Sequence, residues 1–213
     1  MIRHILFDLD STLYSARYGL EDYFFSRLKE YTASWLGLSL GVSYEESERL
    51  RVEGYKRHGT TLAWLCAEMG FTAVDEYLAY VHPENEADSL PPDPELRRFL
   101  ETLPCPCSIL TNSPFFHADR IIKKLGLEGI FNRVFDIICN EGRGKPHASA
   151  YQKALDTFGL MPEEALFIDD LPHYVQGFLD IGGRGILLDE MDIYKDYPRE
   201  RIANLRELTR FLE

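Results

Sequence analysis

The sequence predicts an α/β fold, a parallel sheet covered by helices on both faces, with an all-helical segment inserted after the first strand. Three observations carry that prediction. Beyond residue 91, short apolar runs alternate with helical patterns, and repeated βα units build parallel sheets with helices on both sides. One more strand, Ile5-Leu6-Phe7, stands alone near the start and needs that sheet for partners. Between them, residues 14–90 have a helical texture rich in aromatics, with no proline before Pro83 and no apolar run that reads as a parallel strand. The domain reading is therefore a core of residues 1–13 and 91–213 with a helical insertion of residues 14–90. A chain of 213 residues is long enough for one buried core and a smaller accessory domain.

Taken in order, the opening MIRHILFDLDSTLY reads as a buried strand running into Asp8 and Asp10, because a continuous apolar run suits a sheet covered on both faces. The stretch LPPDP, with Pro91, Pro92 and Pro94, ends the helical segment. After it the expected elements are a strand at 108–111, a helix at 114–125, a strand at 134–139 and a helix at 147–158. A strand at 165–168, a helix at 172–179 and a strand at 185–188 follow. The tail carries Ile202, Leu205, Leu208 and Leu212 at helical spacing.

With 35 acidic against 23 basic residues the net charge is -12, which disfavours a nucleic-acid surface and an anionic membrane as partners, since both want clustered Lys and Arg. An anionic substrate would need a metal or a well-placed lysine against that background. No stretch approaches 18 apolar residues, and the start runs into a strand without a basic leader or an apolar signal core. A soluble, cytoplasmic protein is the expectation. Cys66, Cys105, Cys107 and Cys139 are scattered and lack Cys-x-x-Cys pairing, so they read as reduced structural cysteines.

Four strand ends are polar, and open α/β sheets bind ligands beyond the carboxyl ends of their strands. The first ends in Asp8-x-Asp10; a plain turn capping the next segment is the competing reading. The second ends Thr111-Asn112-Ser113-Pro114. Ser113 as N-cap and Pro114 as first helical residue would open a helix amino terminus beside Thr111, a ready phosphate site. The third is followed by NEGRGKPH, which sets Lys145 before Pro146 at the start of a helix. That is the wrong end of a helix for a cation unless an anion lies between, and Arg143 reads as an exposed loop residue. The fourth ends Asp169-Asp170; adjacent buried carboxylates repel, so a divalent cation is their simplest reason, with helix capping by Asp170 as the alternative. In the helical segment, Gly59-Thr60-Thr61 after Tyr55 and His58 reads as a turn containing a helix N-cap. It could face the strand ends and offer hydroxyls to a substrate. Otherwise it is an ordinary connection, with Tyr55 and Trp64 packed inside the helical segment and His58 exposed.

The ordered set FDLDST, TN, KP and FIDD resembles the four motifs of the haloacid dehalogenase superfamily over nearly the whole chain. The insertion is similar to that superfamily's helical cap. Within the superfamily, YKRHGTTLAWL of the insertion and PPDPELRRFLETLP and FDLDSTLY beside it resemble the pyrimidine 5'-nucleotidase branch, which usually has Asn at Ser11, a small residue at Leu171 and Asn at Tyr174. The resemblance implies a three-layer, Rossmann-like core and a phosphatase in which Asp8 is the nucleophile and Asp10 the acid and base. It implies Mg2+ held by Asp8, the Asp10 backbone carbonyl and Asp170, with Asp169 binding directly or through water. Thr111, Asn112 and Lys145 would hold the phosphate, and Thr60 and Thr61 would bind the rest of the substrate. The implied substrate is a small phosphorylated metabolite, a pyrimidine nucleoside 5'-monophosphate in this branch. A sugar-phosphate or other small-metabolite phosphatase, a phosphomutase and a non-catalytic metabolite-binding protein are the alternatives. Dehalogenases of the superfamily lack the second Asp, which sets Asp10 against that activity. Monomer and homodimer both stay open.

Overall fold

The computed structural model describes residues 1–139 and 142–212. Its centre is a six-stranded, all-parallel sheet of β1 (His4–Phe7), β2 (Cys107–Leu110), β3 (Phe131–Phe135), β4 (Ala165–Asp169), β5 (Arg184–Leu188) and β6 (Arg201–Ile202), in the order β3-β2-β1-β4-β5-β6. β1 is central, with Phe7 beside Ile109 on one side and Ile168 on the other. Alternate side chains of each strand enter opposite apolar clusters, as expected where both faces are covered. Ile5, Phe7, Ile109 and Ile168 enter one, and Leu6, Leu110 and Phe167 the other.

Between β1 and the proline-rich break at residue 91 lie the helices α1 (Leu20–Leu40), α2 (Tyr44–His58), α3 (Thr61–Glu68) and α4 (Val74–Val81). Their apolar residues, among them Leu36, Trp64, Leu65 and Tyr77, are continuous with the first cluster. The same cluster takes in α5 (Pro94–Glu101) and α6 (Phe115–Leu125), while α7 (Ala148–Phe158) and α8 (Pro172–Asp180) cover the opposite face. Asp93 accepts from the Leu96 N–H and Pro94 follows it, so the proline-rich break is also the start signal of α5. Among the described residues, no helix is long and apolar enough to cross a membrane.

Three expectations are corrected. The third strand ends at Phe135, not at residue 139, because Asp136 turns the chain: its carboxylate accepts from Cys139 N (2.9 Å) and from Phe115 N at the start of α6 (3.0 Å). β3 is an edge strand with residues 131–134 at least partly exposed, so it lacks the apolar run that marks its neighbours. Ser113 does not cap α6; Pro114 takes that position without a side-chain bond. The tail buries Ile202, Leu205 and Leu208 as its pattern asks, but as β6 followed by a 3-10 helix at Leu205–Phe211. Asn140 and Glu141 of the loop before Lys145 lie outside the described residues.

Candidate active site

The four polar strand ends converge. The β1 ladder runs one residue past the strand, since Asp8 N donates to Ile168 O (2.8 Å), and this fixes the Asp8 backbone between its neighbours. Ser11 then adopts φ +56°, a left-handed conformation costing a non-glycine residue about 1 kcal/mol. It folds the chain back so that Leu13 N reaches Leu9 O (2.9 Å) and Asp8 and Asp10 face one cavity.

Asp8 is 6 % exposed. Its Oδ1 accepts from Lys145 Nζ (2.6 Å), and Thr12 Oγ1 reaches Oδ2 at 3.3 Å. Lys145 Nζ also donates to Asp169 Oδ2 (2.6 Å), and Asp169 Oδ1 accepts from Leu171 N (2.8 Å). Burial opposes the Lys145 charge, but Asp169 and Asp8 outweigh it and hold the ammonium above its ordinary range. Burial pushes the Asp8 carboxyl up; Lys145 pulls it back, and Asp169 and Asp10 reinforce the rise. Asp170 is pushed up to about 9, by burial and then by the charges of Asp169, Asp8 and Glu21. Carboxylate oxygens of Asp8, Asp169 and Asp170 lie within 4.8 Å of one another. This all-oxygen set suits a hard divalent cation such as Mg2+, and the excess negative charge gives the cation something to neutralise. Asp169 and Asp170 thus separate: Asp169 is tied to Lys145, and Leu171 rather than Asp170 caps α8.

Asn112 lines the cavity, with its side chain engaged by neighbouring protein groups. Its Nδ2 donates to Lys145 O (2.9 Å) and to Tyr174 OH (3.1 Å), and its Oδ1 accepts from Lys145 N (2.7 Å). The carboxamide therefore clamps the Lys145 backbone instead of standing free for a ligand. A Cβ on Gly144 would lie 2.1 Å from Asn112 Oδ1, so this clamp requires glycine there. Thr111 is 2 % exposed with its hydroxyl accepting from Ser113 N (3.0 Å), and it lines the cavity. Arg143 is exposed, as expected.

In the helical block, Gly59 (φ +80°) ends α2 and packs against the Lys145–Pro146 segment, where its Cβ would be 3.1 Å from Pro146 Cδ. The turn does face the strand ends, and both of its threonines line the cavity. Thr60 is also the N-cap of α3, accepting from Ala63 N (3.0 Å), and Thr61 is buried at the cavity wall. Tyr55 is not packed inside the block: its hydroxyl bridges to His173 Nε2 (3.0 Å) on α8. Trp64 is buried within it, and His58 is half-buried against Glu68 (2.6 Å). The cavity between block and strand ends measures about 140 Å3 and is walled by Phe24, Tyr55, Thr61, Thr111 and Tyr174.

A model of the haloacid dehalogenase-like hydrolases matches residues 2–182. The chain belongs to this family. Its fold is similar to that of a HAD phosphatase from Thermococcus onnurineus, at 20 % identity and TM-score 0.65 over 99 % of this chain and 98 % of that one. It is also similar to L-2-haloacid dehalogenase from Xanthobacter autotrophicus (19 %, TM-score 0.61, all of both chains). A third similar structure is 2-haloacid dehalogenase from Pseudomonas syringae pv. Tomato DC3000 (22 %, TM-score 0.62, 100 % and 98 %). At such identities these likenesses show the shared fold.

Within this hydrolase site, the sequence reading missed the surroundings of Asp10. Tyr14 OH and His117 Nε2 both reach its Oδ1 (2.6 and 2.8 Å), and Ser113 Oγ donates to Oδ2 (2.7 Å). The Ser113 hydroxyl is therefore turned from the helix into the site. Burial works against the Asp10 charge, but His117 and the hydrogen bonds overcome it and hold the carboxyl well below the usual range. Tyr14 lies four residues beyond Asp10 and could have been suspected from that spacing; His117 carries no such signal.

Proposed function

We propose that this hydrolase cleaves phosphomonoesters through an aspartyl-phosphate on Asp8, with Mg2+ as cofactor. The observation that supports this best is the Asp8 carboxylate at the end of the central strand, held on one oxygen by a buried lysine and set beside a second, separately anchored carboxylate at Asp10. Thr12 contacts Oδ2 over the longer distance, so Oδ2 is the freer nucleophile. An Asp8 O–P bond would form as the ester P–O bond breaks, and Asp10, ionised in the resting site, would pass the proton brought in by a monoanionic phosphate to the leaving alkoxide. A water would then attack the phosphoryl group, give its proton to Asp10 and free Asp8. Lys145 and Thr111 would face the transferring group, with Asn112 holding Lys145 in place. The cation, held by Asp8, Asp170 and the Asp10 carbonyl with Asp169 behind, would supply positive charge where the phosphate's charge accumulates.

The substrate class we propose is a pyrimidine nucleoside 5'-monophosphate, supported by the likeness of YKRHGTTLAWL to that branch and by the placing of Thr61 and Tyr55 at the cavity. A smaller sugar- or metabolite-phosphate is favoured by one observation. The cavity of about 140 Å3 is below the roughly 300 Å3 usual for larger ligands, so a nucleotide requires the helical block to move away from the strand ends. A panel of phosphomonoesters with Mg2+, run on wild type and Asp8→Asn, tests both. We expect the highest kcat/KM on pyrimidine nucleotides and a loss of roughly 10³ or more in Asp8→Asn. A few per cent residual activity in that variant would end the covalent scheme, and preference for a small sugar phosphate would end the nucleotide assignment. Excess EDTA should abolish turnover and Mg2+ restore it.

A further inference from the structure

Behind Asp10 lies a buried chain of charges that the chemistry above does not call upon. His117 is fully buried, with Nε2 2.8 Å from Asp10 Oδ1 and Nδ1 2.8 Å from Glu86 Oε1, the second contact an ion pair without hydrogen-bond alignment. The Glu86 carboxylate is fully buried too. Its Oε2 meets His82 Nδ1 (2.9 Å), and its Oε1 takes a hydrogen bond from Arg120 (3.1 Å), which also donates to the backbone carbonyl of His82 (3.0 Å). Phe24 of α1 covers both imidazoles, with ring centroids 5.1 Å from His82 and 5.6 Å from His117.

Both ring nitrogens of His117 face carboxylate oxygens, Nε2 aligned on Asp10 Oδ1 and Nδ1 close to Glu86 Oε1 without that alignment. Acidic and basic groups thus alternate from Asp10 through His117 and Glu86 to Arg120. Buried ion chains of this sort contribute little net stability compared with well-packed apolar residues, so fold stability alone is a poor reason for one. This one ends on a reacting carboxylate. His82, Glu86 and His117 could also be read as a two-histidine, one-carboxylate metal cage. The Arg120 guanidinium on Glu86 and the engagement of His117 by Asp10 both oppose a second cation there.

We infer that His117, braced by Glu86, is a positioning residue that fixes the Asp10 carboxylate in the orientation from which it exchanges a proton with the leaving group and the attacking water. The inference rests on the acid and base role proposed for Asp10. His117 and Tyr14 together occupy Oδ1, and Ser113 meets Oδ2 from one side, so the remaining lone pair of Oδ2 is the one turned toward the reaction. Without His117 the Asp10 carboxylate loses an anchor, and Glu86 keeps only His82 and Arg120.

The test is steady-state and rapid-quench kinetics of wild type, His117→Ala, His117→Gln and Glu86→Gln with Mg2+, on an alkyl phosphomonoester and on p-nitrophenyl phosphate. In His117→Ala, kcat on the alkyl ester should fall roughly 10- to 100-fold, with KM within about twofold. On p-nitrophenyl phosphate, whose leaving group needs no proton, the loss should fall on hydrolysis of the aspartyl-phosphate and appear as a burst of p-nitrophenol. Gln can place an amide N–H near the Nε2 position, so His117→Gln should recover much of kcat, and Glu86→Gln should fall between. Unchanged kcat in His117→Ala overturns the inference. So does a loss confined to KM without a burst, or a His117→Gln variant as impaired as His117→Ala with a matching fall in Tm. If His117→Ala does not fold, the Gln and Glu86 variants give the same readings. A wild type inactive on both esters would overturn the hydrolysis scheme itself, whereas an active wild type with an unaltered His117→Ala overturns this inference alone. A second bound divalent metal, lost in His82→Ala, would replace the bracket with a metal cage.

Discussion

The Thr60 hydroxyl accepts from Ala63 N and closes the first turn of α3, so although Thr60 lines the cavity beside Thr61, its oxygen is already engaged by the helix. Thr61, one residue later, is 3 % exposed and lines the cavity. The two Val substitutions should therefore separate. Thr60→Val should lose about 1 kcal/mol of stability through the missing cap, seen as a Tm lowered by roughly 2–4 °C, with kcat/KM close to wild type. Thr61→Val should fold normally and lose roughly 10- to 100-fold in kcat/KM on nucleotides while sparing p-nitrophenyl phosphate. Equal effects of the two on Tm and on nucleotide turnover would contradict the division. In sequence the pair is one motif, Gly-Thr-Thr, and only the direction in which α3 leaves the turn distinguishes them. The same limit applies around Asp10. The strand-end groups Asp8, Asp10, Thr111, Asn112, Lys145, Asp169 and Asp170 were legible because strand ends and special residue pairs mark themselves. His117 and Glu86 are held by tertiary contacts between segments 31 residues apart, and His117 on an amphipathic helix reads as an ordinary core position.

At the scale of elements, the central strands announced themselves by apolar runs, while β3 and β6 did not. β3 is an edge strand exposed along most of its length, and β6 spans two residues whose ladder runs only to β5. β1 has a further property, carried by its first residue. His4 is 3 % exposed, its Nε2 lies 3.0 Å from Ser108 Oγ on β2, and its ring stacks on Phe158 of α7 at 4.2 Å. Burial lowers its pKa to about 4, against about 6.5 in an unfolded chain. Between these values the unfolded state binds more protons than the folded one, so stability rises with pH across that window and is lost as pH falls through it. His4→Phe keeps the stacking surface and removes the titration. Urea unfolding from pH 4 to 7 should give a shallower pH dependence for His4→Phe than for wild type. Identical slopes would mean that His4 gains a proton in the fold as readily as outside it.

At the scale of the whole molecule, part of the acidic excess behind the net charge of -12 sits where the fold can least accommodate it. Asp8, Asp169 and Asp170 meet at one end of the sheet beside the buried Lys145, and Glu21 approaches from α1 with a carboxyl that burial and the Asp10 and Asp169 charges push up. The cluster is thus set up for a substrate and a cation at the expense of the bare fold, a common tension between stability and function. Asp170→Asn should expose it. In EDTA the variant removes a carboxylate that its neighbours disfavour, so it should be more stable than wild type by roughly 1–3 kcal/mol. In Mg2+ at about 100 times its Kd, wild type should gain about 2.7 kcal/mol, and the variant, lacking one of the oxygens, should gain much less. At roughly 2–4 °C per kcal/mol for a chain of this size, thermal unfolding followed by circular dichroism resolves both effects. The expected pattern is a variant with the higher Tm in EDTA and a wild type with the larger Mg2+ response. A wild-type Tm indifferent to Mg2+ would remove the cation from this cluster. An Asp170→Asn less stable than wild type in EDTA would make Asp170 a structural carboxylate, and the repulsion inferred from its neighbours would have to be offset by a contact stronger than any of them.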